Sequence, residues 1–161
     1  EGGKFEALEW ENIFQLTEQG QYWVDVGLFV KYEWVLADGV PDEFVIGPMF
    51  QKDIGRTQAN FNLLFERGVG HGAGNEVELD YRAQLRWRGN PLHEFGLQAF
   101  GGFGDVSELG SETSHSVGPA IFGATSLGGG KKLAYDAAVL VGLTDSAPDL
   151  TLRFEIEYEI Y

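Results

Sequence analysis

The chain has 161 residues, enough for one domain or one small barrel. Its formal net charge of -14 excludes the basic footprint that nucleic acids or an anionic surface require. It has no cysteine, which excludes disulfides, thiolate metal sites and cysteine nucleophiles.

Apolar residues recur at every second position along most of the chain, the period of a β-strand, and they predict about nine strands and no helix. The first strand, Phe5–Leu16, sets Leu8, Trp10, Phe14 and Leu16 on one face, interrupted by Asn12. The second, "QYWVDVGLFVKYEWV" (21–35), is the clearest. Tyr22, Val24, Val26, Leu28, Val30, Tyr32 and Trp34 form an unbroken apolar row. Trp23, Asp25, Gly27, Phe29, Lys31 and Glu33 form the other. Phe44, Ile46, Pro48 and Phe50 mark the third strand, and Phe61, Leu63 and Phe65 the fourth. In the fifth, "EVELDYRAQLRWR", Val77, Leu79, Tyr81, Ala83, Leu85 and Trp87 alternate with Glu76, Glu78, Asp80, Arg82, Gln84, Arg86 and Arg88. Phe95, Leu97, Ala99 and Phe103 mark the sixth. The seventh, Val117–Leu127, is rich in small residues, and its faces are the least clear. Leu133, Tyr135, Ala137, Val139, Val141 and Leu143 form the eighth. In the ninth, Leu150, Leu152, Phe154, Ile156, Tyr158 and Ile160 alternate with Thr151, Arg153, Glu155, Glu157 and Glu159.

The connections run short, long, short, long, short, long, short, intermediate: "TEQGQ" (17–21), "LADGVPDE" (36–43), "DIGRT" (53–57), "GVGHGAGN" (68–75), "GNP" (89–91), "GDVSELGSETSH" (104–115), "GGGKK" (128–132) and "TDSAPD" (144–149). In an up-and-down sheet alternate connections share an end, so one end has tight turns and the other longer loops. Outer-membrane barrels have this asymmetry, with short periplasmic turns and longer extracellular loops. A faint repeat at a spacing of about 71 aligns "VIGPMF" (45–50) with "SVGPAIF" (116–122), and Pro48 with Pro119. It reads as a repeated four-strand unit; alternating strands also resemble one another without duplication.

Alternation fits two opposite arrangements. A soluble barrel turns its apolar face inward; a membrane barrel turns it to lipid and keeps a polar interior. Mean hydropathy is -0.15, and no run of eighteen apolar residues offers a helical span. Neither fact bears on a barrel, whose strands are apolar only at alternate positions. Three features favour lipid. Tyr22, Tyr32, Trp34, Trp87 and Tyr158 sit near the ends of apolar rows, as interfacial aromatics do. The rows reach the roughly 9–11 residues that a tilted strand needs to cross a bilayer. The last strand runs, alternating and aromatic, to the end of the sequence, as barrel-assembly signals do.

The segments "EALEWENIFQLTEQGQYWVDVGLFVKYEW", "HSVGPAIFG" and "LAYDAAVLVGLTDSAPDLTLRFEIEYEI" resemble bacterial outer-membrane β-barrels. More narrowly, they are similar to the porin-like family labelled for the meta-cleavage pathway of phenol degradation. The likeness rests on strand patterning and the "GLTDSAPD" turn, and it implies an outer-membrane pore or passive transporter. One departure is that Tyr161 falls on the polar face, one position past Ile160.

No catalytic constellation stands out. His71, His93 and His115 fall in or near connections, as solvated histidines do; Ser114–His115–Ser116 with a remote acid could mimic a hydrolase triad, but without geometry any Ser and His can be paired this way. "GVGHGAGN" and "LGGGKK" lack the spacing of phosphate loops, and turn glycine explains both. Asp105, Glu108 and Glu112, or Asp145 and Asp149, are candidate hard-cation ligands that solvated acidic loops explain as well. No cofactor and no metal is expected.

The expectation is therefore an all-β, antiparallel up-and-down transmembrane β-barrel in the bacterial outer membrane. Residues 1–161 form a single domain that serves as a non-enzymatic passive channel for small solutes, with lipid and lipopolysaccharide as surroundings. Pore-lining candidates are Asp25, Lys31, Glu33, Glu76, Glu78, Asp80, Arg82, Arg86, Arg88, Arg153, Glu155 and Glu157. Either they line a water-filled path, helped by the small Gly96, Gly102, Gly118, Ala120, Ala124, Ala134 and Ala138, or they pair across strands and fill a narrow interior. The rival readings are a soluble lipocalin-like barrel, with Val24, Val26, Leu28 and Val30 facing an apolar ligand, and a barrel enzyme acting on lipid. An odd strand count beginning at an outer loop, "EGGK", points to the C-terminal portion of a larger barrel of about 12 strands. Missing N-terminal strands or another chain would then fill the edge of Phe5–Leu16, since an open edge cannot face lipid.

Overall fold

The structure is a computed structural model that describes residues 6–90 and 92–160. The first five residues, Pro91 and Tyr161 lie outside it, and with them the expectations for "EGGK", Phe5 and the terminal aromatic. Nine strands follow one another: β1 (Ala7–Gln15), β2 (Asp25–Val35), β3 (Asp42–Ile54), β4 (Thr57–Val69), β5 (Glu78–Trp87), β6 (Glu94–Asp105), β7 (Ser114–Gly128), β8 (Lys131–Gly142) and β9 (Leu150–Ile160). There is no helix among the described residues. The strands form one sheet in sequence order, each hydrogen-bonded to the next. The β1–β2, β7–β8 and β8–β9 pairs are antiparallel in register. The other connections are too short for the dozen or more residues that a parallel crossover needs.

Strand boundaries depart from expectation at β2. Tyr22 and Val24 precede the strand, and the first connection runs over residues 16–24 instead of 17–21. Local hydrogen bonds win there over alternation. Asp25 Oδ1 accepts from the Gly20 amide at 2.7 Å, and Thr17 Oγ1 accepts from the Val26 amide at 2.8 Å. Side chains that bond nearby backbone offer it an alternative to the sheet ladder. The connection read as 89–91 is also longer, 88–93, whereas the other two short turns are as read. Residues 55–56 and 129–130 are two-residue turns, and Gly129 and Gly130 carry φ of 61° and 74°. Two successive positive φ values suit the right-handed twist of a hairpin and favour glycine. The connections 36–41, 70–77, 106–113 and 143–149 are six to eight residues long, so the expected asymmetry holds in part; the first connection, 16–24, and the fifth, 88–93, break it.

The chain packs as two compact units. One comprises residues 1–50, 62–81 and 102–113; the other comprises 51–61, 82–101 and 114–161. In the first, Phe29, Val45 and Leu64 form a small core with Met49 against it. In the second, Ala120, Phe122, Ala138 and Leu140 do so, with Phe100 against them. These residues do not come from the long apolar rows. In β2 the buried residue is Phe29, 6% exposed, on the face of Lys31 and Glu33.

Exposure is greatest along apolar rows, although those of β2 and β3 are largely half-buried. All six of β9 are exposed, Leu152 at 76% and Phe154 at 68%. So are Leu8, Trp10 and Phe14 of β1, Leu85 and Trp87 of β5, Phe95 and Leu97 of β6, and Val139 and Val141 of β8. Gln58, Glu94 and Gln98, by contrast, are buried. β7, unclear in sequence, resolves the same way: Gly118, Ala120 and Phe122 are buried, and Pro119 between them is exposed.

Some packing positions of the two units repeat the 71-residue spacing. Phe29 corresponds to Phe100, and Gly47 to Gly118. A Cβ on Gly47 would overlap the Leu63 carbonyl, and one on Gly118 the Val139 carbonyl, so both sites need glycine for the same close approach of the next strand. Leu64 and Leu140 follow these carbonyls. The spacing has grown there because Gly47 to Leu64 spans 17 residues and Gly118 to Leu140 spans 22.

Candidate functional site

The candidate site is the strand face opposite the apolar rows, where Glu94 and Gln98 are buried, other charges are half-buried or exposed, and charges pair within each unit. In the first unit Lys31, from mid-β2, is the centre. Its Nζ meets a Glu43 carboxylate oxygen, lies 3.2 Å from Glu33 and 3.9 Å from Glu9. The register explains the convergence. Glu9 stands directly opposite Glu33 across β1–β2, and Glu11 opposite Lys31. Two carboxylates facing each other would repel, and the lysine between them offsets that. Glu66 and Asp80 share this neighbourhood, so one ammonium is surrounded by several acids.

In the second unit the bases are arginines. Arg86 bonds the buried Glu94 through Nε and stacks over the Phe122 ring at 5.1 Å. Arg153 bonds both Asp136 and Glu155 and stacks over Phe100 at 5.3 Å. A planar guanidinium suits both contacts at once, being weakly hydrated with five fixed donors. Gln98 Nε2 reaches Asp136 Oδ1 at 3.2 Å and Gln84 Oε1 at 3.4 Å, while its own Oε1 is buried with no partner among the described residues. Arg88 Nη1 lies 3.7 Å from Asp53 Oδ2, one position past the end of β5.

Not every pore-lining candidate takes part. Asp25 holds the first turn. Glu76 lies in the connection 70–77, ahead of β5. Glu78, Arg82 and Glu157 are exposed. The residues missed are the partners Glu9, Glu43, Asp53, Glu66, Glu94, Gln98 and Asp136. Each alternates with an apolar row already recognised, so the same period-two reading, applied to the opposite face of β1, β3, β4, β6 and β8, finds them.

Aromatic side chains mark strand ends on the other face. Leu8 pairs with Trp34 and Trp10 with Tyr32 where β1 begins and β2 ends. The Tyr32 and Trp34 rings lie 4.7 Å apart, and Tyr32 Oη donates to Asp42 Oδ2 at 2.8 Å. Near the start of β8, Tyr135 Oη donates to the Leu92 carbonyl at 2.9 Å. Both tyrosines are half-buried, and their hydroxyls reach the first residue of β3 and the 88–93 connection, an apolar body with a polar tip near a strand end as interfacial aromatics have.

Among protein families, curated proteins and solved structures, nothing matches this chain. No group of three or more histidines or carboxylates in the described residues has metal-binding geometry.

Proposed function

We propose that this chain is part of an outer-membrane β-barrel that passes small solutes passively through a bacterial outer membrane, without catalysis. One observation carries the reading: many large apolar side chains are exposed, whereas Glu94, Gln58 and Gln98 are buried and Lys31, Glu33, Arg86, Asp136 and Arg153 are half-buried on the opposite face. In water, exposure of the six apolar side chains of β9 alone would forfeit on the order of 10 kcal/mol. A soluble protein rarely leaves such a contiguous patch uncovered. Lipid removes the penalty, and a polar interior then needs no water-facing outer surface. The aromatic strand ends and the porin-like resemblance support the same conclusion. A lipocalin-like carrier would bury Val26, Leu28 and Val30 together; here the opposite face of β2 holds the buried residue.

The paired charges shape the proposed path. Arg86, Arg88 and Arg153 are held by carboxylates, whereas Lys31 is outnumbered by acids. A path along this face attracts cations more than anions. The test is reconstitution into planar bilayers with current recording. Stepwise conductance with a reversal potential on the cation side is expected. A chain that remains monomeric in detergent-free buffer, and gives no current, would overturn the reading.

A further inference from the structure

Charge on the apolar rows of the second unit keeps to one end of the strands. Among its described residues, those rows hold no Asp, Glu, Lys or Arg except Lys52, two residues before the end of β3, and Lys131, the first residue of β8. Both adjoin tight turns, 55–56 and 129–130, and the first turn adds the exposed Arg56. The acids beside these turns alternate onto the opposite face. Asp53 lies near Arg88 there, and Glu94 is buried and held by Arg86.

Contacts join this end of the second unit into one surface. Arg56 Nη2 donates to the Gly89 carbonyl at 3.2 Å, and its guanidinium lies 5.5 Å from the centre of the Trp87 ring. The Arg88 amide donates to the Arg56 carbonyl at 2.7 Å. The 88–93 connection is thereby tied to the 55–56 turn. Its far end is tied to β8, where Tyr135 Oη donates to the Leu92 carbonyl at 2.9 Å and lies 3.2 Å from His93 Nδ1. Lys131 stands four residues earlier on the same strand. Trp87 and Leu92 are each 49% exposed between the basic groups.

This mixture of chemistry specifies a partner. Tryptophan and tyrosine settle at headgroup depth in a bilayer. Lysine and arginine lay their stems along apolar surface and lift their charge to its edge. Cations on a face without acids attract anions, and the exposed Trp87 and Leu92 between them suit an anion that carries hydrocarbon. A guanidinium has five donors, so Arg56 has enough for a phosphodiester besides Gly89. The net charge of -14 that argued against a basic footprint averages over the whole chain. Exposed charges act over about a Debye length, ~8–10 Å, so the local set decides.

We propose that the tight-turn end of the second unit is a headgroup site for anionic glycerophospholipid. Arg56 and Lys52 take the phosphodiester beside Trp87, Lys131 takes another beside Tyr135, and the acyl chains lie along the apolar rows. Acyl chains reach those rows only if the rows face lipid, so the site rests on the membrane reading.

The test uses the whole chain in vesicles of phosphatidylcholine and phosphatidylglycerol. The chain has four tryptophans, and Trp10→Phe, Trp23→Phe and Trp34→Phe leave Trp87 as the reporter. Its quenching by acyl-brominated phosphatidylglycerol is compared with that by brominated phosphatidylcholine. A basic group near a bilayer surface is worth roughly fivefold in preference for anionic lipid. Phosphatidylglycerol is therefore expected to be favoured about tenfold at Trp87, and less at high salt. Arg56→Gln with Lys52→Gln should bring the ratio close to one, whereas Arg56→Lys should keep most of it. A reporter that retains Trp34 alone should show no preference, because Tyr32 beside it donates to the acidic Asp42. Equal quenching of Trp87 by the two lipids, or a preference that survives the double glutamine variant, would overturn the site and leave the membrane reading intact. Displacement of the brominated phosphatidylglycerol more readily by lipid A than by unlabelled phosphatidylglycerol would assign the site to lipopolysaccharide and overturn it too. Quenching by neither lipid at either tryptophan would contradict the membrane reading, and the site with it.

Discussion

Lys31 illustrates how one side chain holds an acidic neighbourhood together. Its ammonium is largely buried between Glu43 and Glu33, and Glu9 lies opposite Glu33 in register. Removing it leaves carboxylates facing one another in a poorly hydrated place. Lys31→Met is expected to lower unfolding stability in detergent by about 2 kcal/mol, below the range for a fully buried pair because the carboxylates keep part of their solvent. Lys31→Arg should recover most of it. Urea titration of the three proteins checks both statements. Glycine supplies a second contrast. Gly118→Ala sets a methyl group into the Val139 carbonyl and should cost about 2 kcal/mol, as overpacking does. Gly68→Ala meets nothing closer than 3.6 Å and should be close to neutral. The comparison separates steric need from a general dislike of changing glycines.

At the level of a strand, the two faces answer to opposite rules. On the exposed row of β9, Phe154→Lys is expected to cost roughly 2–4 kcal/mol of folding in bilayers, as a lysine at mid-membrane depth does. Glu157→Lys, on the other face, should fold as well as the parent. The folded fraction after refolding into vesicles, read by heat-modifiable gel mobility, checks the pair. Charge on β5 divides similarly. Arg86 is committed to Glu94 and Arg88 lies near Asp53, so reversing either places a second carboxylate beside the first. Arg82 is exposed. Under the channel reading Arg82→Glu shifts the reversal potential further towards cations with no loss of stability, and bilayer recordings at asymmetric salt measure it. Alternation made the strands and their apolar rows readable, because side chains on a strand change faces at every residue. It did not reveal the start of β2, where Thr17 and Asp25 bond the backbone locally. Nor did it reveal the partners of the charged residues, because pairing depends on register, which no single strand encodes.

For the whole molecule, the sense of the faces was the question that alternation left open. The same rows of Leu, Val and aromatic residues suit a soluble core or a lipid boundary. Burial decides which row lies outside: Phe29, Glu94 and Gln98 are covered, whereas Leu152 and Phe154 are not. The 71-residue spacing, faint in the letters, recurs at particular packing positions, Phe29 with Phe100 and Gly47 with Gly118. The absence of cysteine makes the central claim directly measurable, since any introduced thiol is unique. Nitroxide labels placed singly at 152, 153, 154, 155, 156 and 157, in chain reconstituted with lipid vesicles, report access to oxygen and to a water-soluble nickel chelate. The account predicts that 152, 154 and 156 favour oxygen, as lipid-facing sites do, and that 153, 155 and 157 favour the chelate. Higher chelate access at 152, 154 and 156 than at their neighbours would contradict it.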